Sequence, residues 1–184
     1  MRKLSVYLQL SIDGYCTSPT GDPSWMHRPD DDPELAAFVA SNASGDGELL
    51  FGRATYELMK AFWATPAAAQ AMPAVAKGMN AKQKYVASRT LERADWQPAR
   101  VLAGDAVAGV RELKATSGPP IVTLGSGSLV AQLVEAGLVD EYQLLFLPIV
   151  LGAGRTAFTG QPRWLKHRST RTFRNGNVFV VYDR

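Results

Sequence analysis

The chain has one cysteine, Cys16, and two histidines, His27 and His167, in 184 residues. A single cysteine excludes an internal disulfide. Two histidines far apart and one cysteine do not make the ligand cluster of a zinc or iron site, so no metal is expected. No apolar run approaches the roughly 18 residues of a membrane span. Arg2 and Lys3 stand near the start, but Ser5, Gln9, Ser11 and Asp13 interrupt the apolar stretch a secretory signal would need. A cytoplasmic protein without a membrane partner is the expectation. Charge of neither sign dominates: 20 Lys and Arg against 17 Asp and Glu leave +3, with a pI near 9.1. Arg163, Lys166, Arg168, Arg171 and Arg174 concentrate near the end, on expected strands where alternation puts them on a solvated face. Nucleic-acid binding requires a basic face, and is not expected here.

What is present is ordinary globular material, 46% hydrophobic and 20% charged. The length suits a single domain, 1–184, with a full core. Residues 4–10, 48–51, 84–87, 100–102 and 121–124 read as strands, with a further apolar strand after Asp140-Glu141. Helices are expected from Pro33, over 53–62, over 66–79 with a break at Pro73, over 107–115, and over 129–136 ending at Gly137. Asp31 or Asp32 can cap the helix at Pro33. The polar stretch 16–32 is long for a loop, and long ordered loops are often functional. Residues 166–173 and 178–182 form two last strands around Asn175-Gly176, a strong hairpin signal. Tyr56, Phe62 and Trp63 are expected in the core. The fold class is α/β: a mixed, mostly parallel sheet flanked by helices, closed by a C-terminal antiparallel hairpin.

Three strand ends carry small, polar, phosphate-friendly residues: Gly52-Arg53-Ala54-Thr55, Ser88-Arg89, and Gly125-Ser126-Gly127-Ser128-Leu129. Ligands of open α/β sheets bind at the carboxyl ends of strands. Glycine lets the backbone turn sharply and approach a ligand. Ser126 or Ser128 can cap the helix that follows, and a helix start with free N–H groups suits a phosphate. Arginine offers a planar fork for the same group. A phosphorylated ligand, first of all a nucleotide cofactor, is expected; the alternative is three tight turns that bind nothing.

The ordered set of motifs resembles the dihydrofolate reductase superfamily, and within it the bacterial proteins related to the reductase domain of the bifunctional riboflavin-biosynthesis deaminase/reductase. The segments are Leu10-Ser11-Ile12-Asp13-Gly14-Tyr15, Gly21-Asp22-Pro23-Ser24-Trp25, Leu50 to Glu57, Val86 to Leu91, Leu124 to Leu129, Ala136 to Glu141 and Pro148 to Gly154, together covering nearly the whole chain. The resemblance implies an NADPH-dependent reductase acting on a small planar heterocycle or another conjugated acceptor. It implies Arg53 and Thr55 along the adenosine-phosphate side, Ser88 and Arg89 at the 2′-phosphate, and Gly125, Ser126, Gly127, Ser128 and Leu129 at the pyrophosphate. Glu34 becomes the first candidate for proton supply and Asp13 the second. Leu35 and Phe38 match apolar contacts to the substrate ring, and Trp25 either shelves the pocket or covers core. Where dihydrofolate reductases join two glycines by a cis peptide, this chain has Gly125-Ser126. A homodimer is implied, with Tyr142 to Leu151 and the hairpin as its interface. A second class stays open: an NADPH-binding sensor or subunit without catalysis.

Overall fold

The structure is a computed structural model that describes residues 1–26 and 32–184. Asp31, one of the two cap candidates, and His27 lie outside the described residues. Eight strands form one sheet in the order β4-β3-β2-β5-β1-β6-β8-β7. They are β1 (Leu4–Ser11), β2 (Glu48–Gly52), β3 (Lys84–Ser88), β4 (Ala99–Ala103), β5 (Ile121–Leu124), β6 (Glu141–Leu147), β7 (Lys166–Thr172) and β8 (Val178–Asp183). Strands β1 to β6 pair in parallel, and β8 runs antiparallel to both β6 and β7. This is the mixed, mostly parallel α/β sheet with a C-terminal antiparallel hairpin that the sequence pattern led us to expect, and the dihydrofolate-reductase-like fold that the resemblance implies.

The helices are α1 (Pro33–Ser44), α2 (Arg53–Trp63), α3 (Pro66–Ala71), α4 (Pro73–Ala81), α5 (Ala106–Ala115) and α6 (Gly127–Glu135). Proline opens α1, α3 and α4, where its missing N–H costs nothing. Asp32 caps α1, accepting hydrogen bonds from the backbone N–H of Glu34 and Leu35.

The two faces of the sheet differ because side chains alternate along a strand. On one face Leu4, Val6, Leu8 and Leu10 of β1 pack with Val110 and Leu113 of α5 and Leu129, Val130 and Leu133 of α6. On the other, Leu49, Phe51, Val86 and Trp96 pack under α1, α2 and α4. The same face continues across β6 and β8 as a third cluster, Leu145, Leu147, Phe173, Phe179 and Val181, covered by Trp25, Leu35 and Phe38. Strand β1 presents Ser5, Tyr7, Gln9 and Ser11 to this second face, an uncommon polar row on a central strand.

Two packing expectations are corrected. Phe62 is 46% exposed, whereas Tyr56 is buried and Trp63 half-buried against the second cluster. Six residues turn an α-helix through roughly 240°, so Phe62 faces away from the side that Tyr56 buries. The segment from Tyr142 to Leu147 is no outer surface either. It lies between β1 and β8, with Tyr142, Leu144, Leu145 and Leu147 all buried. Beyond it, in the rest of the expected interface segment, Val150 is 70% exposed.

Candidate functional site

The parallel strands deliver their carboxyl ends to one edge of the sheet. Because β3, β2 and β5 are neighbours, the three polar ends predicted from sequence lie side by side there. The turn after β5 is held in a defined shape. Gly125 has φ +66° and Ser126 has φ +60°, both left-handed. The Gln97–Pro98 peptide is the one cis bond among the described residues, so the 125–126 peptide is trans. The backbone N–H of Gly125 donates to the carbonyl of Tyr7 at 3.0 Å.

The helix begins at Gly127, two residues earlier than the sequence pattern indicated, and no side chain caps it. The left-handed turn instead aims Ser126 at β2, where its Oγ accepts the backbone N–H of Gly52 at 3.0 Å. Ser128 Oγ accepts from Arg155 Nη1 at 2.8 Å. The expected caps are therefore committed elsewhere, and the first turn of α6 keeps unsatisfied N–H groups, the feature that attracts an anion. Thr55 joins the same site: a Cβ placed on Gly125 would lie 3.6 Å from Thr55 Cγ2. A Cβ on Gly127 would lie 2.7 Å from Cys16 Sγ, which requires glycine at that position.

The neighbouring ends are more open. Arg53 pairs with Glu57 one helical turn on, at 3.2 Å, with both side chains about half exposed. Such a pair is weak and easily exchanged for another anion. Ser88 Oγ accepts the backbone N–H of Thr90 and Leu91, which leaves its own proton to give. Arg89 is exposed and has no ion pair among the described residues.

The loop after β1 is fastened to the segment after β6. Asp13 accepts the backbone N–H of Leu151 at 3.1 Å and of Gly152 at 2.7 Å. A hydrogen bond from Ser11, joined by those amides and opposed by partial desolvation, holds the Asp13 carboxyl below its usual range. Asp13 is a clasp between loops, and a carboxyl kept ionised is a poor proton donor. Thr17 and Arg155 form an isolated antiparallel bridge, and a cavity of about 410 Å³ lies between residues 17–21 and Gly154-Arg155.

Trp25, Leu35 and Phe38 come together over the third cluster, against which Tyr7 also packs. Phe38 meets Phe179 with ring centroids 4.7 Å apart, and Tyr7 meets Phe179 at 6.3 Å. Trp25 Nε1 is buried without a hydrogen-bond partner among the described residues. Glu34 stands apart from this group. Its Oε1 accepts from Arg171 Nη2 at 2.7 Å and Nε at 3.2 Å, and its side chain is about half exposed, over the edge strand β7. Arg171 also lies over the rings of Phe38 and Phe173.

Sequence reading did not single out Arg155 or Tyr7. Arg155 carried only the weak signal of following Gly152-Ala153-Gly154. Tyr7 carried a better one, the polar alternation Ser5, Tyr7, Gln9, Ser11 within a strand buried on both sides.

The site thus combines glycine-bearing turns at the carboxyl edge of a mostly parallel sheet with an apolar ring cluster on its second face. The family model for the RibD C-terminal domain matches residues 2–180, and the chain belongs to that family. The uncharacterized protein YyaP of Bacillus subtilis (strain 168) is 30% identical over 183 residues, which is 98% of this chain and 94% of YyaP. A crystal structure described as that of a "Putative riboflavin biosynthesis protein" from Shewanella sp. PV-4 superposes with a TM-score of 0.72 at 20% identity, over 99% of this chain and 98% of that one. That likeness supports the fold.

Proposed function

We propose that this chain is an NADPH-dependent reductase that transfers a hydride to a small planar heterocycle or a similar conjugated acceptor. One observation carries the reading: β3, β2 and β5 are adjacent, so Ser88-Arg89, Gly52 to Thr55 and Gly125 to Leu129 line one edge without a break. Such an edge offers a dinucleotide successive contacts, with the uncapped start of α6 for its pyrophosphate and the two arginines for its adenosine phosphates. Membership of the RibD C-terminal domain family supports the same reading. Bound there, the cofactor supplies the hydride, and the protein's part is to fix the acceptor against it and keep water out. Trp25, Leu35 and Phe38 are the side chains that would hold a planar ring.

The test is a fluorescence titration with NADPH and NADH, repeated on Arg89→Ala. Tighter binding of NADPH than NADH, with the preference lost in the variant, is the expected result. If neither nucleotide binds, the three turns are structural and the reductase reading falls.

A second reading, cofactor binding without turnover, draws on a specific observation. Both carboxylates put forward as acids are engaged: Glu34 with Arg171, and Asp13 with the amides of Leu151 and Gly152. It predicts NADPH affinity without oxidation by any heterocycle. The homodimer implied by the resemblance predicts a two-chain species at micromolar concentration by sedimentation; its interface would have to lie outside the buried strand β6.

A further inference from the structure

We propose that Tyr7 donates the proton that completes the reduction, hydrogen-bonding the acceptor's heteroatom at the junction of the 125–129 turn and the α1 aromatic cluster. This inference rests on the reductase reading and names the acid that reading lacks.

Position is the first argument. The carbonyl of Tyr7 accepts Gly125 N–H, so its backbone is one hydrogen bond from the turn assigned to the cofactor. Its side chain packs against the third cluster, with the Phe179 ring centroid 6.3 Å away, and Leu35, Phe38 and Trp25 pack against that same cluster. Across the sheet, Tyr7 stands opposite Leu124 of β5 and Gln143 of β6. Of the residues in this cluster, Tyr7 alone has a hydroxyl.

The second argument is the buried Trp25 Nε1, which has no acceptor among the described residues. Buried donors are nearly always paired, so an orphan beside an aromatic cluster points to a ligand acceptor such as a carbonyl or ring nitrogen. An indole and a phenol thus pack against one apolar ring cluster.

The third argument is charge. The charged groups on this face are Glu34 with Arg171 and the buried Asp32 beside Arg174 at the α1 end, and Glu141 and Asp183 at the far end with Lys3 and Arg168. Each has an opposite charge beside it. Nothing between them is charged among the described residues: Ser5, Gln9 and Gln143 are the polar neighbours. Such a surface fits a neutral acceptor rather than a phosphorylated or carboxylate-bearing one.

The chemistry balances without a carboxylic acid. Hydride from the dihydronicotinamide forms a C–H bond at the electrophilic carbon of a C=N or C=C–C=O group. The π pair moves to the conjugated heteroatom, which takes the Tyr7 proton; the phenolate then regains a proton from solvent. The acceptor is reduced and the nicotinamide oxidised by two electrons. Burial pushes the Tyr7 phenol up to about 12, eased in part by Gln9, so it stays protonated throughout the neutral range. A nitrogen or oxygen anion formed by hydride addition is basic enough to take a proton from so weak an acid.

The experiment uses the full chain with NADPH and two neutral acceptors, 7,8-dihydropterin and 2-cyclohexen-1-one, followed by NADPH absorbance. Turnover of at least one acceptor is expected, at a rate independent of pH from 6 to 9. Tyr7→Phe keeps the ring and should lower kcat about a hundredfold, shrink the solvent deuterium effect, and leave NADPH affinity within twofold. Glu34→Gln should stay within threefold of wild type. The inference is overturned if NADPH binds but neither acceptor is reduced, a result that leaves the cofactor reading standing. It is equally overturned if Tyr7→Phe retains the rate, or if the wild-type rate falls across pH 5 to 7 and Glu34→Gln abolishes it. The pH profile is read on the unmodified protein, so it decides even if the variant fails to fold.

Discussion

Lys84 should make this protein more stable as pH rises from 8 to 10, and Lys84→Met should remove that gain. The side chain is fully buried at the start of β3 and has no carboxylate partner among the described residues. Its Nζ donates to the carbonyls of Lys82 at 2.8 Å and Asn80 at 3.2 Å, and lies 4.5 Å from the centroid of the Trp96 ring. Burial pulls its pKa down from 10.5 to about 8. The folded chain therefore holds this proton less tightly than the unfolded chain. Below pH 8 both states are protonated and the whole cost of burying the charge is present. Between pH 8 and 10.5 the folded state has lost the proton while the unfolded state keeps it, so stability rises with pH. At about 1.4 kcal/mol per pH unit, the full gap is worth about 3 kcal/mol. At pH 7, Lys84→Met sheds that cost but loses two hydrogen bonds of about 1 kcal/mol each and a cation–π contact of about 1 kcal/mol. The variant is thus expected near wild-type stability at pH 7 and about 2 kcal/mol less stable at pH 10. Urea unfolding of both proteins at the two pH values measures the change, and tyrosine ionisation cancels in the difference. A wild-type-minus-variant difference constant within about 0.5 kcal/mol would refute the argument. It would mean that the two carbonyls and the indole ring hold the ammonium at its ordinary pKa.

Further predictions concern the other end of the pH scale and the close contacts. Burial alone would raise Glu141, but hydrogen bonds from Lys3, Gln143, Ser5 and Arg168 outweigh it and hold the carboxyl at about 2. Its contribution is complete above the ordinary carboxyl pKa of 4.5 and is lost as pH falls toward 2, so Glu141→Gln should flatten the acid limb of an unfolding profile followed by circular dichroism. Gly154→Ala should free the loop: its φ is +151° and a Cβ would lie 2.1 Å from the Thr17 carbonyl oxygen. Faster proteolysis within 15–22 is expected, and unchanged cleavage would show that the Thr17–Arg155 bridge does not fasten that loop. Gly78→Ala would put a Cβ 2.3 Å from the Ala43 carbonyl oxygen, where α1 crosses α4. A loss of more than about 2 kcal/mol by urea unfolding is expected.

Much of this fold was legible because local rules and global architecture agree. The short apolar runs are strands, the prolines at 33, 66 and 73 open helices, and Asn175-Gly176 turns between β7 and β8. Strand order was not legible. Nothing in Ile121 to Leu124 says that β5 inserts between β1 and β2, yet that insertion makes the three polar ends a continuous edge. The residue types at the site could be read, but their hydrogen bonds could not. A serine before a helix reads as a cap; here Ser126 is left-handed and bonds to Gly52 from another strand. Glu34 reads as an acid at the substrate, but Arg171, far away in sequence, pairs with it. Local patterns specify conformation, whereas the partner of a polar side chain depends on which distant segment folds against it.

The two ends of the parallel strands divide stability from chemistry. At the amino ends, Lys84 apart, the charges are matched: Arg2 with Glu48, Lys114 with Asp140, and Glu141 with Lys3 and Arg168. Arg2 and Lys114 are almost fully enclosed, and removing one partner would strand the other without solvent. At the carboxyl ends the balance reverses. Arg89 has no ion pair among the described residues, Arg53 has only an exposed one, and Arg155 meets a serine hydroxyl. The α6 start adds the positive end of a helix dipole with no capping side chain. Positive charge left unmatched on one edge, in a chain of net charge only +3, amounts to a local excess that an anionic ligand can neutralise. If that excess serves a nucleotide, added salt should weaken NADPH binding, and should weaken it less in Arg89→Ala. An affinity independent of salt in both proteins would mean that the edge does not act through its charge.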